Sequence, residues 1–359
     1  MTELTRVAIA TRKTIKYGVL AIFAFLLLRS LFFFGLRLYK GFFPDPPPEP
    51  TVAFGTLPEI AFPDNTSDVP NLILQTPSGE LPVFPDQLYV YFMPNLSSNL
   101  FSLENAQALA TRLGFTGQRT KNSDTQYTFS QGSVPSELKL DIVTGAFSIS
   151  YDLTQDSSPF DTRPLAPEVS ANNVKNFLSS AGLLAEDLTG PTTHEFLKRD
   201  GDRLVSAISL SAADFVKVNL NRKGFLGNDF VNPPLDNLPS VTPRQDQSNV
   251  WFIVSGARQR EKQIIAGEYH YFPVDEEKKS TYPIKTAQQA WDELKAGNAF
   301  IAGSSEQDGD IAIRRVYLAY YDPGVESSFL QPIVVFEGDG GFVAYVSAVT
   351  TRLEAGQTN

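Results

Sequence analysis

The sequence predicts an α+β protein: an N-terminal transmembrane helix followed by repeated units of one helix packed on an antiparallel sheet. Three observations carry this. An apolar run starts at Tyr17, helix-spaced apolar stripes recur after it, and each stripe precedes short alternating segments joined by tight turns.

Residues 17–36, YGVLAIFAFLLLRSLFFFGL, hold a single charge, Arg29. At about 1.5 Å per residue a helix of that length covers roughly 30 Å, the thickness of a bilayer's hydrocarbon core. A soluble core helix keeps a polar face, whereas this run is apolar all round except at Arg29 and Ser30. Its length, and Arg37-Leu38-Tyr39-Lys40 where small residues should stand, argue for an uncleaved signal anchor rather than a cleaved peptide. Arg29 either snorkels toward the headgroups beside Arg37 and Lys40 or meets a partner helix, and snorkelling fits its off-centre position better. Arg6, Arg12, Lys13 and Lys16 precede the span and only Arg37 and Lys40 closely follow it. That bias predicts a single-pass protein in the cell membrane with a cytoplasmic N-terminus and an extracytoplasmic body.

Hydrophobic residues at 42% and charged residues at 19% exclude wholesale disorder. Beyond residue 40 stand 23 basic and 39 acidic residues, a net of −16, so nucleic acid is no partner for the body. With no cysteine there is no disulfide, thiolate metal site or cysteine nucleophile.

The order of parts follows. Residues 1–16 form a basic cytoplasmic stub, 17–36 the span, and 37–50 a spacer whose Pro44-Asp45-Pro46-Pro47-Pro48-Glu49-Pro50 favours extended polyproline II. Residues 51–165 make a first unit, opening with proline-broken pieces suited to edge strands and coil. Its helix buries Ala106, Leu109, Ala110 and Leu113 between a Ser102 cap and Gly114. Strands are expected over 127–129, 138–142 and 147–151. Residues 166–225 repeat the scheme with Val174, Phe177, Leu178 and Ala181 between Ser170 and Gly182, then strands over 195–198, 204–210 and 215–220. Residues 226–249 read as a proline-rich linker or surface loop. The third unit, 250–352, centres on Ala287, Ala290, Trp291 and Leu294, with Thr286 and Gln289 as a capping box and Gly297 as the stop. Strands over 311–321, 333–336 and 342–349 follow, and a hairpin of 250–255 with 264–272 is expected to widen this last sheet. Glu337–Gly341 is a hairpin turn, since no helix follows to make a phosphate cradle. Residues 353–359 are a flexible tail.

No strong catalytic pattern is present, so no catalytic, cofactor-binding or metal-ligating residue is assigned and no cofactor is expected. His194-Glu195 begins like a zinc helix, but position 198 is Lys and the other histidine, His270, shares no ligand spacing with it. Glu306, Asp308 and Asp310 flank Gly309; a solvated turn fits them better than a calcium loop, which needs alternating ligands and a final glutamate. The aromatic segment Tyr269-His270-Tyr271-Phe272 is either a recognition edge or packing under the third helix, with 275–279 as a solvated turn. Tyr317, Tyr320 and Tyr321 share that ambiguity. Arg29, Tyr269, Tyr271 and Tyr317 are the candidate partner contacts.

One stretch carries a resemblance. Tyr282-Pro283-Ile284 precedes Ala290-Trp291-x-x-Leu294-x-x-Gly297, and Val316-Tyr317-Leu318-Ala319-Tyr320-Tyr321, Leu330-Gln331-Pro332-Ile333 and Phe342-Val343-Ala344-Tyr345-Val346 follow. Over residues 264–350 the chain resembles the membrane-anchored YycH/YycI regulators of Gram-positive bacteria and PepSY-like exported domains. The resemblance implies a non-enzymatic extracytoplasmic regulator that touches a membrane protein, in that family a sensor histidine kinase, through both span and body. The proline-rich spacer and the strands near Val250 depart from the pattern. The leading reading is therefore a binding or regulatory module with a membrane or envelope protein as partner. A structural component of the envelope or of a surface-assembly machine, and a carboxylate-dependent hydrolase using Asp308 or Asp310, are the alternatives.

Overall fold

The computed structural model describes residues 3–42, 48–65, 69–95, 102–230, 234–305 and 309–350. The chain divides into two units, Met1–Glu49 and Pro50–Asn359. The first contains one helix, α1 (Glu3–Phe42), in which Thr14–Tyr39 is long and apolar enough to cross a membrane and its apolar window is unburied. Residues 43–47 of the expected spacer and all of the expected tail lie outside the described residues.

The second unit begins with β1 (Leu72–Leu74), β2 (Gln87–Phe92) and α2 (Ser102–Arg112). Four strands follow, β3 (Arg119–Lys121), β4 (Gln126–Ser130), β5 (Ser136–Asp141) and β6 (Phe147–Tyr151), then α3 (Pro167–Ala181). Next come β7 (Thr192–Asp200), β8 (Arg203–Ser206), β9 (Phe215–Leu220), β10 (Ser240–Val241), β11 (Val250–Val254), β12 (Ile264–Tyr269) and β13 (Asp275–Pro283). Helix α4 (Ala287–Lys295) leads into β14 (Phe300–Gly303), β15 (Ile311–Tyr321), β16 (Phe329–Gly338) and β17 (Val343–Ser347).

Local chemistry sets the ends of these helices. All three in this unit stop in the same way: Phe115 N–H returns to the Ala110 carbonyl, Leu183 to Leu178 and Asn298 to Glu293. Gly114, Gly182 and Gly297 take the left-handed turn each closure needs, at φ of 96°, 74° and 85°. At the start of α4, Thr286 and Gln289 form the expected reciprocal cap. Ser170 is not the cap of α3. The helix starts at Pro167, whose missing N–H costs nothing at the first position, and Ser170 is fully buried in its first turn.

The strands assemble into two sheets. One is antiparallel throughout, in the order β3-β4-β5-β6-β12-β11-β9-β7-β8. Helices α2 and α3 share one face of it, packing Leu109, Leu113, Val174 and Leu178 against Leu138, Leu140, Val218 and Phe252. The alternation expected for Leu138 and Leu140 holds, with Glu137 and Lys139 facing solvent. The other sheet runs β1-β15-β16-β17-β14, with β2 pairing β16 and β13, and β10 pairing β15. Helix α4 packs Ala290, Trp291 and Leu294 on one of its faces, with Trp291 5.8 Å from the Phe336 ring.

This arrangement corrects several expectations. The β11–β12 hairpin does not widen the last sheet; it sits between β6 and β9 and joins the strands that follow α2 to those that follow α3. Residues 275–279 open strand β13, with Asp275 paired to Phe92 and Lys279 to Tyr91 of β2, while the exposed 276–278 between them loop out as a solvated turn in which Asp275 accepts from the Glu277 and Lys278 N–H groups. Gln87–Phe92 is a buried strand, not edge or coil. Residues 207–210 leave the expected strand and end in a short 3-10 turn. Around the proline-rich 226–249 segment, Phe225 bridges to Leu238 and Asn228 to Leu235, and Phe225 and Leu238 enter the core.

Two glycines separate backbone crowding from backbone conformation. A Cβ on Gly256 would stand 1.8 Å from the Arg163 carbonyl oxygen, whereas one on Gly297 meets open space at a positive φ. Gly297→Ala should cost about 1 kcal/mol and Gly256→Ala about 3 kcal/mol or more, read as denaturant midpoints of the full-length chain.

Candidate functional site

Where the two sheets meet, Arg222 is buried just beyond β9, its side chain 3% exposed. Its Nε donates to Asp322, directly after β15, at 2.7 Å. Its other two nitrogens donate to Asp187, between α3 and β7, and to the Phe272 carbonyl. The guanidinium lies over the Tyr271 ring, 4.4 Å from its centre, and the Tyr271 hydroxyl donates to Asp187 at 2.8 Å. Burial alone would lower the Arg222 pKa, but Asp322 and Asp187 outweigh it and hold it above the usual arginine value. Tyr271 is pushed up, first by burial and then by Asp187. This cluster joins segments from both sheets.

Beside it opens a polar cleft of about 600 Å³. Thr193, His194 and Glu195 on β7, with Asn219 and Asn221, form one wall; Tyr317, Glu337, Val343 and Tyr345 of the other sheet line it too, and residues 240–248 bridge them. Glu337 is held on both oxygens: Tyr317 donates to one at 2.6 Å and Arg315 to the other at 2.9 Å. The Tyr345 hydroxyl donates to the Thr242 carbonyl at 3.2 Å, Lys217 to Gln247 at 2.7 Å and Ser248 to Asn221 at 2.6 Å. The buried Ser240 hydroxyl has no protein partner. Burial, then the bond to Glu337, raises the Tyr317 pKa far above that of a free phenol. Tyr345 rises too, by burial first and the charge of Glu337 second.

Of the candidate contacts, Tyr317 lies on this cleft. Tyr269 is buried in the nine-stranded sheet's core: it is 5% exposed, stacks 5.1 Å from Phe147 and gives its hydroxyl to the Leu183 carbonyl. Tyr271 is committed to Arg222 and Asp187. Arg29 remains on α1, 5.7 Å from the Phe33 ring centre. His194 lines the cleft beside Phe196, while His270 borders a small crevice at Arg222. Asp310 accepts from Asn71 where β1 joins β15, and Glu306 and Asp308 lie outside the described residues. Among the described residues no group of three or more His, Asp or Glu could hold a metal ion.

No family model matches the chain, and no curated protein does. Among solved structures, an uncharacterized protein from Eubacterium rectale aligns over 75% of this chain and 85% of its own, at 12% identity and a TM-score of 0.39. That likeness is too slight to carry a statement about fold or function.

Sequence reading missed the Arg222 cluster because its members stand far apart along the chain and no spacing links them. The one local signal is an arginine two residues past the apolar strand FVKVNL. Arg222→Met would leave Asp187 and Asp322 buried without their cation, and should cost about 3–5 kcal/mol in unfolding free energy at neutral pH.

The raised phenols set an alkaline limit. A tyrosine whose folded pKa exceeds its unfolded value near 10.0 contributes stability that is intact below that pH and lost as pH rises through the folded value. Unfolding midpoints should therefore fall above about pH 10. Glu337→Gln should bring the Tyr317 titration, followed by NMR of labelled tyrosine, down toward the free phenol value without reaching it, because burial remains.

Proposed function

We propose that this is a membrane-anchored binding or regulatory protein without catalytic activity, its N-terminus cytoplasmic and its body extracytoplasmic. It contacts another membrane or envelope protein through the cleft between its two sheets, as the YycH/YycI-like regulators it resembles contact a sensor kinase. The cleft carries this reading. Several of its hydrogen-bonding groups are fixed by one another in advance, Glu337 by Arg315 and Tyr317, Tyr345 by Thr242 and Gln247 by Lys217. Pre-ordering of that kind favours recognition, since little side-chain entropy is left to lose on binding. Glu337 accepts one bond on each oxygen, which fixes it as an oriented acceptor for an incoming donor. The apolar helix supports the anchor, and Lys and Arg ahead of it support the orientation.

A photo-crosslinking residue in place of Tyr317 in the full-length chain, expressed in its native membrane, should yield one discrete membrane-protein adduct. The same residue at exposed Lys139 on β5 should not. An absent adduct at both positions, together with substrate turnover by the purified full-length chain, would overturn the reading in favour of the hydrolase.

A further inference from the structure

A second cavity, separate from the cleft, lies under residues 51–65, which cross the eight-stranded sheet as a strap. At one end Val52 N–H donates to the Thr281 carbonyl and Phe54 N–H to the Tyr282 hydroxyl, both at 3.0 Å. At the other, the Asn65 carboxamide donates to the Ala299 carbonyl and accepts from Ile301 N–H, both at 2.8 Å. Phe62 meets the edge of Tyr321 with ring centres 4.8 Å apart. Val52 is held at φ 44°, a left-handed conformation that a β-branched residue adopts only under strain and only when its surroundings enforce it.

Between these fastenings the strap roofs a space of about 400 Å³, within the range of small-molecule sites. Leu57, Ile60 and Phe62 come from the strap and Tyr282 and Val349 from beneath it. On the wall, Lys285 donates to Glu293 at 2.7 Å, and the lysine side chain is only 12% exposed.

We infer that this cavity binds a small uncharged molecule, apolar over most of its length, with one amide or carbonyl oxygen that accepts from the Lys285 ammonium. Charge decides the class. The Lys285–Glu293 pair is already neutral and the remaining ion of the lining, Glu59, is an exposed carboxylate on the strap, so an anion finds no free counter-charge and a cation only a solvent-screened one. An ammonium carries three donors and Glu293 takes one, which leaves donor capacity for a neutral oxygen. The strap supplies three of the apolar contacts, so occupancy acts on the segment that leads in sequence from α1 to the sheets.

The absence of cysteine from the chain gives a direct test. Val349→Cys places a unique thiol on the cavity wall of the full-length protein in lipid nanodiscs, where its rate of modification by a maleimide can be followed. Hexanamide should slow that rate along a saturable curve, about threefold at twice the half-maximal concentration. Hexanoate should have no effect, a control thiol from Lys139→Cys should be insensitive to both, and adding Lys285→Met should abolish the protection. Should Val349→Cys fail to fold, Leu57→Cys on the strap takes its place. Unchanged rates with hexanamide on a folded variant overturn the site; protection by hexanoate alone overturns the neutral class; protection surviving Lys285→Met overturns the lysine's role.

Discussion

One guanidinium ties the body together. Arg222 reaches Asp187 on the nine-stranded side, the Phe272 carbonyl in the link from β12 to β13 and Asp322 at the end of β15, and lies against the Tyr271 ring. An ion taken out of water at this depth costs several kcal/mol unless its hydrogen-bonding capacity is met. Arginine's planar fork meets it in three directions at once, as a lysine's point charge could not. The relative placement of the two sheets, and with it the width of the cleft beside the cluster, follows from where these partners converge.

The two sheets draw on the chain in different ways. The nine-stranded sheet is built mostly from near neighbours, hairpin on hairpin, and is closed at its centre by β12 against β6. The eight-stranded sheet gathers segments from both ends of the body: β1 and β2 from before the first body helix, β13 from before α4 and β15 to β17 from after it. Its edges and faces are covered by segments with little regular structure, such as the strap over Phe300 and Tyr321. Cavities arise at such margins, since a strap fastened at intervals cannot follow a sheet as closely as a strand or helix does.

The candidate site was legible only in fragments. His194 and Tyr317 both stood out in the sequence, one as a broken zinc motif and one as an aromatic strand position, and the fold brings both to one cleft. Glu337 stands in a glycine-rich turn sequence, and nothing local shows that Tyr317 and Arg315 face it across the β15–β16 pair. Tyr269 had the same local character as Tyr317 yet points into the helix-covered core, where Phe147 stacks on it. Whether an aromatic on a strand recognises or packs depends on which face the neighbouring layers cover.

Features whose energy comes from within a turn or two of chain were determined by the sequence itself. These include the long apolar helix α1, the Thr286–Gln289 cap, the glycine ends of all three body helices and the alternation along β5 and β6. Partner choice among strands, the merging of the segments after α2 and α3 into one sheet, the pairing of Asp275 and Lys279 with β2 and the Arg222 cluster were decided only by the tertiary structure. Backbone hydrogen bonds are the same for every residue, so a strand carries little mark of which neighbour it will meet. A buried ion likewise declares its partners only when the chain has brought them within reach.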